Sequence, residues 1–134
     1  MKQTLLSLAA SGLVLVLPAS APVAHHAFAA QYDRDQPVEV TGTVTRVEWL
    51  NPHARFYIDA EDPDRENEVF NWNFELASPN NLMRQGWRRD SLQPGDTITV
   101  SGWRARKDPH VANARSVVDG DGKRLFAASS AEDE

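Results

Sequence analysis

Between residues 38 and 49 the chain alternates with a period of two, placing Val38, Val40, Gly42 and Val44 on one side, then steps by three and resumes at Val47 and Trp49. Successive side chains of a strand point to opposite faces, so a change of phase without a break marks an inserted residue, a bulge that bends one long strand. Such a strand serves two parts of a curved sheet, and this narrows the fold more than any other feature of the chain.

The runs that follow fit the same picture. Asn51-Pro52 ends the first strand. Ala54, Phe56, Ile58 and Ala60 then alternate with Arg55, Tyr57 and Asp59, and the polar stretch 61–68 predicts an exposed hairpin loop. A third strand over 69–76 sets Phe70, Trp72, Phe74 and Leu76 against Asn71, Asn73 and Glu75. Ser78 as N-cap, Pro79 at the first helical position and Gly86 as stop predict one short helix over 79–85, with Leu82 and Met83 inward. Strands over 97–105, carrying Ile98, Val100 and Gly102 on one face, and over 111–118 come next, with a short last strand at 123–126. A three-strand meander, a helix and two more strands predict an all-β domain with one short helix, an OB-fold-like five-stranded Greek-key barrel. A generic antiparallel sandwich or an incomplete jelly roll would use the same strands differently.

The start of the chain has another purpose. Lys2, an apolar stretch over residues 5–17 and the small residues Ala19 and Ser20 form a signal peptide, too short to span a bilayer. Cleavage after Ala21 would place Pro22 just past the bond, and cleavage after Ala29 lies far from the apolar run; cleavage after Ala24 is favoured and makes His25 the new N-terminus. The predicted organisation is a signal peptide at 1–24, an N-terminal arm at 25–36, the barrel at 37–126 and a disordered acidic tail at 127–134. The reading implies an exported, soluble, periplasmic protein with no membrane span.

Composition removes whole classes of function. The 134 residues include no cysteine, which excludes disulfide scaffolds, zinc ribbons, thiolate nucleophiles and iron–sulfur clusters. The formal charge is −5, and cleavage after Ala24 deletes Lys2 to leave −6, which argues against nucleic acid as a partner. The chain has 4 histidines: His25, His26, His53 and His110. A free α-amine, the ring of His25 and one further imidazole form a nitrogen set suited to Cu(II) in tetragonal geometry. His53, in Asn51-Pro52-His53, follows the first strand, and His110 follows the fourth; in an OB-fold these two loops flank one binding face. His25, His26 and His53 are therefore the leading ligands, with His110 as a fourth candidate. The bland alternative is a solvated His-His terminus and a turn histidine bonded to backbone.

Two further sets of residues stand out. Trp49, Trp72, Trp87 and Trp103, with Met83, offer aromatic and thioether contacts to a soft cation or a ligand, although such residues at strand and helix spacing commonly fill a core. Arg84, Arg88, Arg89, Arg104 and Arg106 form a basic cluster, read either as an anion or partner surface or as pairs with Glu39, Glu48, Asp59 and Glu75. The chain shows no Ser–His–acid set with a supporting motif, no phosphate loop and no His-Glu-x-x-His, so an enzyme is not expected.

The motifs together resemble a known family. Residues 24–33, Ala-His-His-Ala-Phe-Ala-Ala-Gln-Tyr-Asp, are followed by Val40-Thr41-Gly42-Thr43-Val44, Glu48-Trp49, Asn51-Pro52-His53 and Trp72. Glu75-Leu76, Ser78-Pro79-Asn80, Leu82-Met83-Arg84, Gly86-Trp87, Gly95-Asp96, Val100-Ser101-Gly102 and Asn113-Ala114-Arg115-Ser116 complete the match. This is similar to an uncharacterised family of exported proteobacterial proteins, a domain of unknown function whose mature chains start His-His-Ser-Phe; Ala27 replaces the serine here. The resemblance implies export and a small barrel, and brings no activity. The general shape is also similar to periplasmic OB-fold copper-efflux metallochaperones, without their methionine-rich site. The expectation is a small periplasmic binding protein for Cu(II) or another divalent metal. The alternative is a metal-free envelope interaction or small-ligand module that uses Trp49, Trp72, Trp103, Arg84, Arg88 and Arg89.

Overall fold

The computed structural model describes residues 22–125, with side chains from residue 27 onward. Most of the predicted signal peptide and all of the predicted tail lie outside the described residues. Among the described residues there are two short helices where one was expected. The first, α1 (Pro22–Gln31), occupies most of the predicted arm. Its cause is local: Pro22 opens it, and Ala24, Ala27, Ala29 and Ala30 have the highest intrinsic helix propensity. Phe28 and Tyr32, four residues apart, are both buried and tie the helix end to the sheet.

Strand β1 (Tyr32–Glu48) runs directly out of α1. It pairs with β4 (Thr97–Ala105) over Tyr32 to Thr43 and with β2 (Arg55–Asp62) over Gly42 to Glu48, so one strand spans the sheet twice. The register slips between Val44 and Arg46, at the predicted three-residue step. β2 continues into β3 (Arg65–Glu75), which closes the ring by pairing in parallel with β5 (Val111–Asp119), itself antiparallel to β4. A two-residue strand, β6 (Arg124–Leu125), adds to β5. The ring β1–β2–β3–β5–β4 has the OB-like connectivity that the element order predicted.

Two glycines mark where the ring is tightest. A Cβ at Gly42, where β1 passes from β4 to β2, would lie 2.2 Å from the Asp59 carbonyl oxygen. One at Gly102 would lie 2.0 Å from that of Asn113, beside the register shift between β4 and β5. Only a residue without a side chain allows backbones to approach so closely.

The predicted inward sets form the core: Phe56, Ile58, Trp72, Phe74, Ile98 and Val100 are all buried. Helix α2 (Pro79–Arg84) plugs one end, capped by Ser78 Oγ accepting from the Asn81 N–H at 3.4 Å. Leu82 is buried, but Met83 is 46% exposed and does not point inward as expected. One turn of helix can bury only one stripe, and Leu82 and Pro79 occupy it. The loop expected over 61–68 is instead a tight turn at Pro63 and Asp64, with both strands continuing to it. Asp62 at the end of β2 is buried rather than exposed because it has cationic partners within the fold.

Candidate functional site

Two buried carboxylates organise the polar chemistry, one on each face of the β2–β3 hairpin. Arg55 and Glu75 are register partners on the outward face. The Arg55 guanidinium binds Glu75 Oε2 and also donates to Asn73 Oδ1 at 3.1 Å. His53, two residues earlier, brings Nδ1 to 3.2 Å from Glu75 Oε1. Glu75 is only 3% exposed, so its charge is held by these partners and not by water.

Tyr32 completes this cluster from the start of β1. Burial pushes its hydroxyl pKa well above the ordinary phenol value, and the adjacent Glu75 carboxylate, which accepts its hydrogen bond, adds to the rise against the opposing effect of Arg55. Gln31, the last residue of α1, donates from Nε2 to the Tyr32 oxygen at 3.2 Å. A continuous polar chain therefore runs from the end of α1 through Tyr32 and Glu75 to His53. The helix holds the backbone of His25 and His26 six to seven residues before Tyr32, roughly 10 Å along its axis.

The second cluster closes the opposite end of the hairpin. Asp62 Oδ2 lies 2.8 Å from His110 Nε2, while Oδ1 accepts from Arg104 Nη2 at 3.2 Å and from the Asp64 amide at 3.0 Å. Burial alone would raise the Asp62 pKa; the Asp64 amide, the His110 ring and the Arg104 guanidinium outweigh it and hold the carboxyl below its ordinary value. The His110 ring stacks on Phe70 with centroids 3.8 Å apart and meets Trp72 edge-on at 5.0 Å. Its backbone carbonyl accepts from the Asn73 amide at 2.9 Å, which seats the β4–β5 loop on β3.

The structure does not bring the two loop histidines together. His110 rests on Phe70 and Trp72 on the inward face of β3, and His53 rests on Glu75 on the outward face. Those contacts are three to five residues apart along the strand, roughly 10–16 Å. Among the described residues no three His, Asp or Glu side chains converge to hold a metal. The side chains of His25 and His26 lie outside the described residues.

The aromatic and basic sets divide. Trp72 is fully buried and Trp87 nearly so, which removes both from any ligand surface, and Trp49 packs against the core. Trp103, on the outer face, stands edge-on to Phe28 at 5.7 Å, with the guanidinium carbons of Arg34 and Arg115 at 5.1 and 5.0 Å. It clamps α1 to the ring of strands. Arg104 and Arg106 form ion pairs with Asp62, Asp64 and Asp33. Glu75 is taken by Arg55, Glu48 by Arg46 and Tyr57, and Asp59 by Asn71. The expected pairing of these acids with the basic cluster therefore does not occur, because cross-strand neighbours reach them first. Arg84, Arg88 and Arg89 are exposed and form no ion pair with another described residue.

Sequence reasoning missed Tyr32 and Asp62 as site residues, and named Arg104 only as a member of the basic cluster, without its partner Asp62. Arg55 and Glu75 carried a signal, since both sit in the outward phase of their strands, where opposite charges facing each other attract. Asp62 carried none, being one acid in a polar run. Among the described residues no helix is long and apolar enough to cross a membrane. No curated protein matches the sequence. Residues 13–113 do match a family, and the chain belongs to it: the family of unknown function DUF6152.

Proposed function

We propose that this chain is a small exported binding protein that takes a divalent metal, Cu(II) foremost, through His25, His26 and His53. The reading is supported by the geometry at Glu75. A metal-binding imidazole commonly gives its second ring nitrogen to a carboxylate, which fixes the ring and raises its basicity. His53 Nδ1 sits on Glu75, and Arg55 and Tyr32 fix Glu75 in turn. His53 would then ligate through Nε2, with His25 supplying its ring and, after cleavage behind Ala24, its α-amine. His110 is left out of the set because its ring is committed to Asp62 and Phe70.

Periplasmic export belongs to the same reading and is tested first. Mass determination of the exported protein gives a chain beginning at His25; another start removes the α-amine ligand. Copper titration followed by electron paramagnetic resonance then gives a tetragonal Cu(II) signal that changes in His25→Ala and in His53→Gln. A signal that neither substitution alters, or binding no tighter than micromolar, sinks the metal reading in favour of the metal-free interaction module.

A further inference from the structure

A sheet edge opens where β1 and β2 part. The register between these strands ends at Gly42–Ala60, whereas β1 stays paired with β4 from Thr43 back to Pro37. Residues 37–41 therefore lie at the end of the β1–β2 ladder. Which peptide groups face the gap follows from the bonds beside it. The Val44 amide donates to the Asp96 carbonyl and its carbonyl accepts from the Gly95 amide, both at 2.8 Å, so Val44 turns toward the β4 side. Backbone direction alternates along an antiparallel strand, so Val38 and Val40 also serve β4, and Glu39 presents its N–H and C=O to the gap. Pro37 fits the same phase, since a residue without an amide proton belongs where the N–H side has no strand to serve.

The gap is a cleft of about 520 Å³ whose lining holds five carboxylates, Glu39, Asp59, Glu61, Asp62 and Glu66, and no Lys or Arg. Asp62 is held by Arg104 and His110, and Asp59 accepts from Asn71. Arg65, the one cation on residues 59–69, pairs with Glu68 at 3.7 Å. Glu39, Glu61 and Glu66 are exposed and form no ion pair with another described residue. No three acids converge to hold a metal among the described residues, so this charge is spread along an edge and not focused on one ion. Val69, the register partner of Glu61, is 61% exposed beside them.

The geometry points to β1 as a docking edge for an extended, lysine- or arginine-bearing segment of a partner protein. The segment adds a short strand at Glu39, and its cations meet Glu39, Glu61 and Glu66. Main-chain bonds supply the pairing in such strand addition and alternate side chains the selectivity. The aliphatic stems of the basic residues lie over Val69 while their charged ends stay in water. A second copy of this chain does not fit, because two identical edges would set the same acids against each other.

Fluorescence anisotropy of a labelled Lys-Val-Lys-Val-Lys-Val peptide tests the assignment. Expected is saturable binding, weakened about tenfold or more when the peptide is fully N-methylated, which keeps every charge and removes strand pairing. Glu39→Gln/Glu61→Gln weakens it about fivefold, as loss of two exposed charge pairs implies. Hydrogen exchange followed by nuclear magnetic resonance shows the Glu39 amide protected in the complex and not in the free protein. His53→Gln leaves binding unchanged, which separates this edge from the metal reading. The assignment is overturned by no binding, by equal binding of the N-methylated peptide or of a Glu-Val peptide of the same length, by a double variant that binds as the parent does, or by unchanged exchange at Glu39. Spermine that binds as tightly as the peptide would also overturn it, reducing the edge to a diffuse attraction for cations. Both glutamates are exposed, so thermal unfolding of the double variant stays close to that of the parent.

Discussion

The two histidine clusters use the same three kinds of side chain and are built to different ends. In each, a carboxylate 3% exposed lies between an arginine and a histidine. Around Asp62 the partners are closed in: the Arg104 side chain is 14% exposed and that of His110 18%, with the imidazole flat on Phe70. Around Glu75 the partners reach water, with Arg55 at 27% and His53 at 32%. The first cluster is a plug that fastens the β4–β5 loop to the hairpin. The second holds an accessible imidazole in one orientation. On the proposed reading, burial of the partners and not the identity of the triad separates a structural use from a binding one, because a buried charge pair that loses one member strands the other in a low dielectric.

The largest effect expected from this contrast is on stability. Asp62→Ala takes the buried carboxylate from both Arg104 and His110, leaves Arg104 only the exposed Asp64, and costs about 3 kcal/mol. Glu75→Ala leaves Arg55 able to turn to solvent and costs about 2 kcal/mol. Urea unfolding of both variants reads the difference directly; equal costs would remove the distinction between plug and site.

Metal affinity should divide in the opposite sense. His53→Gln weakens Cu(II) binding, and Glu75→Gln does so about tenfold through the orientation of that ring. His110→Gln leaves affinity unchanged and lowers the unfolding midpoint. A copper affinity that follows His110 and ignores His53 would invert the assignment of the two clusters.

The acid limb of stability sharpens the comparison further. The folded Asp62 carboxyl titrates below its ordinary value of 3.8, so its contribution is complete above that value and is lost as the pH falls below it through the lower folded one. Asp62→Asn therefore flattens the stability profile in that acid range. An unaltered profile would mean that other carboxylates govern acid unfolding.

The smallest effect is at Tyr32. Its folded pKa lies above the usual 10.0, so its contribution is complete below that pH and declines as the pH rises past it. Tyr32→Phe costs about 1 kcal/mol at neutral pH, the loss of a hydrogen bond to Glu75, and flattens the alkaline limb. Parallel alkaline unfolding curves for parent and variant would show that this hydroxyl is not the group responsible.

Local periodicity determined most of the fold. The alternation in β2, β3 and β4 and the step in β1 are consequences of strand geometry, in which one residue of slip exchanges the faces, so the inward sets were readable residue by residue. Ser78 and Pro79 fixed the start of α2 in the same way, through an orphan amide and a preset φ. Helix α1 was not read from its four alanines because the same small residues satisfy a cleavage motif, and both readings are local.

What the sequence could not determine is which charges meet. Asp62 lies 42 residues from Arg104 and 48 from His110, and Arg55 lies 20 from Glu75. The Arg55–Glu75 pair needs only the register of the β2–β3 hairpin, whereas the two Asp62 pairs exist only once β3 and β5 close the ring and bring β4 and its following loop to the end of β2. The sequence by itself determined an OB-like ring of strands and a short list of histidines. Tertiary structure alone decided that His53 and His110 stand on opposite faces of β3, and that Arg104 is consumed by Asp62 while Arg84, Arg88 and Arg89 stay exposed. Periodicity is encoded within a few residues, whereas Coulomb energy depends on distances that only closure of the sheet fixes.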